Sequence, residues 1–125
     1  MRKMPAVPVA LACGLVAVGV ALGGTTLKLT AVPAGLKYDK KLLKAVPGSV
    51  TITMKNASPL PHNVAIKGAG VNVVGAIVSK GGTSTVTATL KKGSYVFYCS
   101  VPGHEAAGMK GTLQARDSAS GQATG

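Results

Sequence analysis

The sequence predicts an all-β chain: a Greek-key β-sandwich of seven to eight short strands, preceded by an N-terminal apolar segment. Beyond residue 25, apolar and polar residues alternate with period two in short runs, as half-buried strands require. Gly and Pro end most of these runs, and 17 Gly with 7 Pro in 125 residues supply the turns that such a sandwich needs. One Phe and no Trp imply a modest core, and the length allows one domain.

Residues 1–24 stand apart from this pattern. Met1-Arg2-Lys3-Met4 is basic, and residues 6–22 then run without a charge to Gly23-Gly24-Thr25. A charged start, an apolar stretch and a small-residue boundary form an export signal. The apolar stretch also meets the lower limit of about 17 residues for crossing a bilayer. Residues 1–24 are therefore expected to be a signal peptide or an N-terminal membrane anchor, with membrane association through residues 6–22. Cys13 offers lipid attachment as a third route, but Ala10-Leu11-Ala12 is a poor approach to a lipoprotein cysteine. Arg2 and Lys3 on the cytoplasmic side leave the remainder outside. The expected location is extracytoplasmic: periplasmic, cell-surface or secreted.

The strands follow in order through a domain expected at residues 25–116. Residues 26–30 alternate as a first strand, and residues 36–45 form a weaker second one broken by lysines. Val50, Ile52 and Met54 face one side and Thr51, Thr53 and Lys55 the other, before a turn at Asn56-Ala57-Ser58-Pro59. His62 opens the next strand, which Val64 and Ile66 continue to Lys67-Gly68. Residues 71–78 are a looser apolar stretch whose glycine obscures its assignment. Residues 83–90 alternate Thr with Val86, Ala88 and Leu90 and are rich in β-branched side chains. After the turn at Lys91-Lys92-Gly93, Tyr95, Phe97 and Cys99 share one strand face, and residues 110–115 close the sheet. The tail at 117–125, mostly Ser, Ala, Gly, Gln and Thr, is expected to be disordered.

The chemistry concentrates in two places. Cys99, His104 and Met109 share one Pro- and Gly-containing stretch, and His62 lies upstream at Pro61-His62-Asn63. The chain has two histidines, and Cys99 is its only cysteine outside the leader, so no disulfide forms within the domain. A thiolate, two imidazoles and a thioether make up the ligand set of a blue-copper site, with a long, weak axial Met. The same Cys-His-His set also binds zinc.

The run Phe97-Tyr98-Cys99-Ser100-Val101-Pro102-Gly103-His104, followed by Gly108-Met109-Lys110-Gly111, resembles the C-terminal copper loop of the cupredoxins, small blue copper proteins of the plastocyanin, azurin and halocyanin type. Residues 48–56 and Pro61-His62-Asn63-Val64-Ala65-Ile66 are similar to the strand and first-histidine loop of that family, so the resemblance spans roughly residues 26–115. The spacing from Cys99 to His104 is longer than in plant-type plastocyanins, and that from His104 to Met109 is longer than in azurins. The resemblance implies a cupredoxin-like fold, one type 1 copper ion on His62, Cys99, His104 and Met109, and one-electron transport. It further implies that Asn63 and Ser100 hydrogen-bond each other and brace the two ligand loops. A flat patch of His104 with Leu60, Pro61, Pro102, Ala106 and Ala107 would be the electron-transfer surface, and Tyr98 a second route. Glu105 reads as a solvated carboxylate.

Charge narrows the partners. The chain carries a net +11, and +9 remains without Arg2 and Lys3. Such a field steers the protein toward acidic surfaces. Nucleic acid is set aside, because the lysines are scattered, aromatics are scarce and the chain bears an export signal. A cytochrome or oxidase with an acidic docking face is the expected redox partner, and the carrier is expected to be a monomer. A copper-delivery protein of the cell envelope is the alternative. An enzyme would need a second metal centre, for which no histidine remains.

Overall fold

The computed structural model describes residues 24–117, which form eight strands and no helix. In chain order these are β1 (Thr25–Ala31), β2 (Leu42–Ala45), β3 (Gly48–Asn56), β4 (Ala65–Gly68), β5 (Val71–Val74), β6 (Thr83–Leu90), β7 (Gly93–Tyr98) and β8 (Lys110–Ala115). They lie in two sheets, ordered β1-β3-β6 and β2-β8-β7-β4-β5. β1 and β3 are parallel because β2, between them in sequence, crosses to the other sheet, where it runs parallel to β8. The remaining pairs are antiparallel.

Period-two alternation sorts the side chains. On β3, Val50, Ile52 and Met54 are buried, and on β6 so are Val86, Ala88 and Leu90, with Ile52 opposite Val86. The outer face of the same ladder carries threonines, and the Thr51 and Thr87 hydroxyls lie 2.9 Å apart. Leu43, Ile66, Tyr95, Phe97 and Leu113 face them from the five-stranded sheet in one continuous core. Each fully buried Ile, Leu or Phe contributes about 1.5–3 kcal/mol, so the core outweighs any single polar contact. Phe97 is the largest fully buried side chain, and it requires Gly111 opposite it on β8. A Cβ there would collide with the Phe97 ring and the Lys41 carbonyl.

The two weakest strand expectations shrink. Of residues 36–45, only Leu42–Ala45 is strand. Upstream, Tyr38 turns its ring into the core and makes a single bridge to Ala31. The Asp39 N–H donates to the Thr30 carbonyl at 2.8 Å, and the Thr30 N–H donates to Asp39 Oδ1 at 2.8 Å. A side-chain acceptor thus replaces the next ladder bond. Of residues 71–78, only Val71–Val74 is strand. At Gly75 the chain passes so close to Val64 and Ser84 that any side chain would clash. Beyond it a single bridge, Val78 with His62, continues the contact. The export or anchor segment and the tail lie outside the described residues, except for Gly24 and Asp117.

Candidate metal centre

Two loops at one end of the sandwich bring the predicted donors together. β7 delivers Cys99 just beyond its last residue, in the inward row of Tyr95 and Phe97, and all three are buried. His62 sits between β3 and β4, buried and bridged by backbone to Val78. His104 and Met109 lie in the turn between β7 and β8. The Cys99 N–H donates to the Met109 carbonyl at 3.1 Å, which closes the loop at its base. Inside it, the His104 carbonyl accepts from the Met109 N–H at 3.0 Å. Gly103 (φ 84°) and Gly108 (φ 113°) occupy backbone space that disfavours other residues, so the loop can reverse twice in few residues.

His62 Nδ1 and His104 Nδ1 lie 3.2 Å apart, and Cys99 Sγ lies 3.9 Å from the first and 3.6 Å from the second. A point equidistant from the corners of this triangle is about 2.1 Å from each, within the roughly 2.0–2.3 Å of imidazole and thiolate bonds to a metal. The three donors are therefore spaced so that they would hold one ion, and a weak thioether would complete the set. Met109 is fully buried at the end of the same loop. Burial, and then the charge of His104, push the His62 imidazole below its ordinary 6.5. That shift favours the neutral ring, which has a lone pair to offer, and Nε2 is buried without a hydrogen-bond partner.

Polar side chains hold the loops in register. Asn63 Nδ2 donates to Ser100 Oγ and to the Gly75 carbonyl, both at 2.9 Å, and Asn63 Oδ1 accepts from the Ser100 N–H at 2.8 Å. The residue after His62 is thus tied reciprocally to the residue after Cys99. Two further supports were not singled out from the sequence. The Tyr38 hydroxyl donates to the Asn63 carbonyl at 2.6 Å, and burial, with the Cys99 and Tyr98 charges, pushes its ionisation up, so it remains a neutral donor. Asn56 Nδ2 donates to the carbonyls of Leu60 at 2.8 Å and Val78 at 2.9 Å, and its Oδ1 accepts from the Ser58 N–H at 2.9 Å. The Asn-x-Ser turn was the available signal, since Asn in such turns bonds backbone two residues on. Tyr38 offered none, because its partner is 25 residues away.

The expected surface residues divide. Leu60, Pro61, Pro102, Ala106 and Ala107 are exposed and His104 is half-buried. Tyr98 is half-buried with its ring under the Lys67 ammonium, 4.4 Å from the centroid. Glu105 is not a free solvated carboxylate: its Oε2 pairs with Lys67 Nζ at 2.7 Å.

The model of the plastocyanin/azurin family of copper binding proteins matches residues 25–116. The chain belongs to this family. Copper is accordingly the cofactor, and among the described residues His62, Cys99 and His104 are the group whose donor atoms converge. Solved cupredoxins superpose on it. A dithionite-reduced auracyanin from Roseiflexus castenholzii shares 30% identity at a TM-score of 0.64, covering 73% of this chain and 96% of that one. Auracyanin A, a "blue" copper protein from Chloroflexus aurantiacus, shares 26% at a TM-score of 0.66, covering 75% and 100%. An azurin from Methylomonas sp. strain J, at 17% identity and a TM-score of 0.63 over 76% and 100%, shares the fold. A search of curated proteins finds no match.

Proposed function

We propose that this cupredoxin is an extracytoplasmic one-electron carrier whose copper is held by His62, Cys99, His104 and Met109. The observation that supports it most directly is the triangle of two imidazole nitrogens and one cysteine sulfur, spaced for a single ion. Copper bound there supplies a reversible Cu(I)/Cu(II) couple, with the thioether favouring Cu(I). Cys99 binds as thiolate and offsets one positive charge, and His62 and His104 bind as neutral rings. The fold keeps these donors in place in both states, because Asn63, Ser100 and Asn56 lock the loops from behind. Electrons would pass at the half-buried edge of His104, among exposed Leu60, Pro61, Pro102, Ala106 and Ala107. Tyr98, under its lysine, is the secondary route.

The basic balance supports an acidic partner surface of the cytochrome or oxidase kind. Lys41 and Lys110 line a cleft of about 480 Å³ that reaches the copper loop at Glu105 and Gly108. Export of the domain rests on the basic start and uncharged residues 6–22. The function is tested by titrating the metal-free protein with Cu(II), beside Cys99→Ser. An intense blue band that saturates at one equivalent, bleaches with ascorbate and is missing in the variant is expected. A colourless protein that still binds one metal would replace the carrier with a zinc or copper-storage role.

A further inference from the structure

Lys67 touches two residues that each adjoin an inferred ligand. Its Nζ lies 2.7 Å from Glu105, which follows His104, and 4.4 Å above the ring of Tyr98, which precedes Cys99. The sheet register explains the reach. Ala65 pairs with Tyr98 and Lys67 with Val96, so Lys67 and Tyr98 are diagonal neighbours across β4 and β7. The backbone hydrogen bonds of residues 101–108 close within the loop or onto Met109 and Lys110. Glu105 therefore gives the His104 turn an anchor on β4 that its backbone does not provide. It lies apart from the Asn63–Ser100 tie, which joins the segments just after His62 and Cys99.

We propose that Lys67 and Glu105 form a charge-balanced clamp: they position the His104 loop against β4, and each cancels the field that the other would exert at the copper. A carboxylate beside His104 alone favours Cu(II), and an ammonium over Tyr98 alone favours Cu(I). Paired at 2.7 Å they nearly neutralise each other at the ion. Both are positioning residues and neither is a ligand. The electrostatic half rests on the copper-carrier reading, whereas the positioning half does not.

The test uses the full chain as parent, K67M, E105Q, the double variant and K67R. At one pH and low salt, K67M is expected to shift the Cu(I)/Cu(II) ratio about fivefold toward Cu(II) and E105Q about fivefold toward Cu(I), where tenfold corresponds to 59 mV. The double variant should return to within about twofold of the parent. Single variants that move in the same direction, or a double variant that adds the two shifts, would overturn the cancellation. In the metal-free chain, the amides of Ala107 and Gly108 should exchange severalfold faster in K67M and recover in K67R. Unchanged exchange would overturn the positioning role. If the parent gives no blue band, the carrier reading fails, and amide exchange alone decides whether the clamp stands.

Discussion

The middle of the sandwich and its metal end are built on opposite principles. In the middle, the aliphatic and aromatic side chains of Val50, Ile52, Val86 and Leu90 meet those of Ile66, Phe97 and Leu113, and ladders satisfy the backbone. At the metal end, the five buried polar side chains among the described residues gather: Asn56, Ser58, His62, Asn63 and Ser84. There the chain leaves the ladders, and side chains take over the pairing of backbone groups. Ser84 Oγ donates to the Ala76 carbonyl at 2.7 Å, and Asn56 closes the turn before His62. Stability thus resides mainly in the middle, and geometry is specified at the end.

Substitutions can break this division. The largest stability effect is expected in the middle: Ile52→Ala should cost about 2–5 kcal/mol in chemical denaturation. Its copper spectrum should be that of the parent. A spectral change as large as that of a loop variant would mean that the two regions are mechanically coupled.

Asn63→Ala should cost less, about 2–3 kcal/mol, because it leaves the Ser100 N–H and hydroxyl and the Gly75 carbonyl without their partner. Copper affinity should nevertheless fall about 10–100-fold, with a shifted band. Unchanged affinity and colour would show that Asn63 and Ser100 are only turn residues.

At the metal end, a proton should act through His62. His62 has a folded-state pKa lowered by burial and by His104, so the unfolded chain binds the proton more readily. Metal-free protein should therefore be more stable above pH 6.5 and lose that increment as pH falls through the lowered value. Denaturation midpoints across this window test the sign, and His62→Gln should flatten the dependence. A midpoint that rose on acidification would contradict the burial argument.

The smallest effect is expected on the outer face of β3. Thr51→Ala removes an exposed hydroxyl pair with Thr87 and should change stability by no more than about 0.5 kcal/mol, leaving the spectrum alone. A larger loss would mean that cross-strand pairs, as well as the core, hold the middle together.

Much of both regions was legible in the sequence because alternation is a local signal. Val50, Ile52 and Met54 could be oriented without a partner strand, since a pleated backbone fixes which residues share a face. His62, Cys99, His104 and Met109 stood out because histidine and cysteine are scarce here and their softness suits copper. Strands without strong alternation fared worse. Residues 36–41 looked extended, yet the Asp39 carboxylate and the buried Tyr38 ring drew them out of the ladder.

By itself, then, the sequence determined the β class, the strand faces and the identity of the donor set, each a property of residue type and short-range spacing. Tertiary structure decided what depends on distance between remote segments. It set Nδ1 to Nδ1 at 3.2 Å across 42 residues, brought Tyr38 under Asn63, and turned Glu105 from a surface acid into the partner of Lys67. Those contacts arise only where two sheets close on one core, because packing, and no local preference, sets which loops meet at its end.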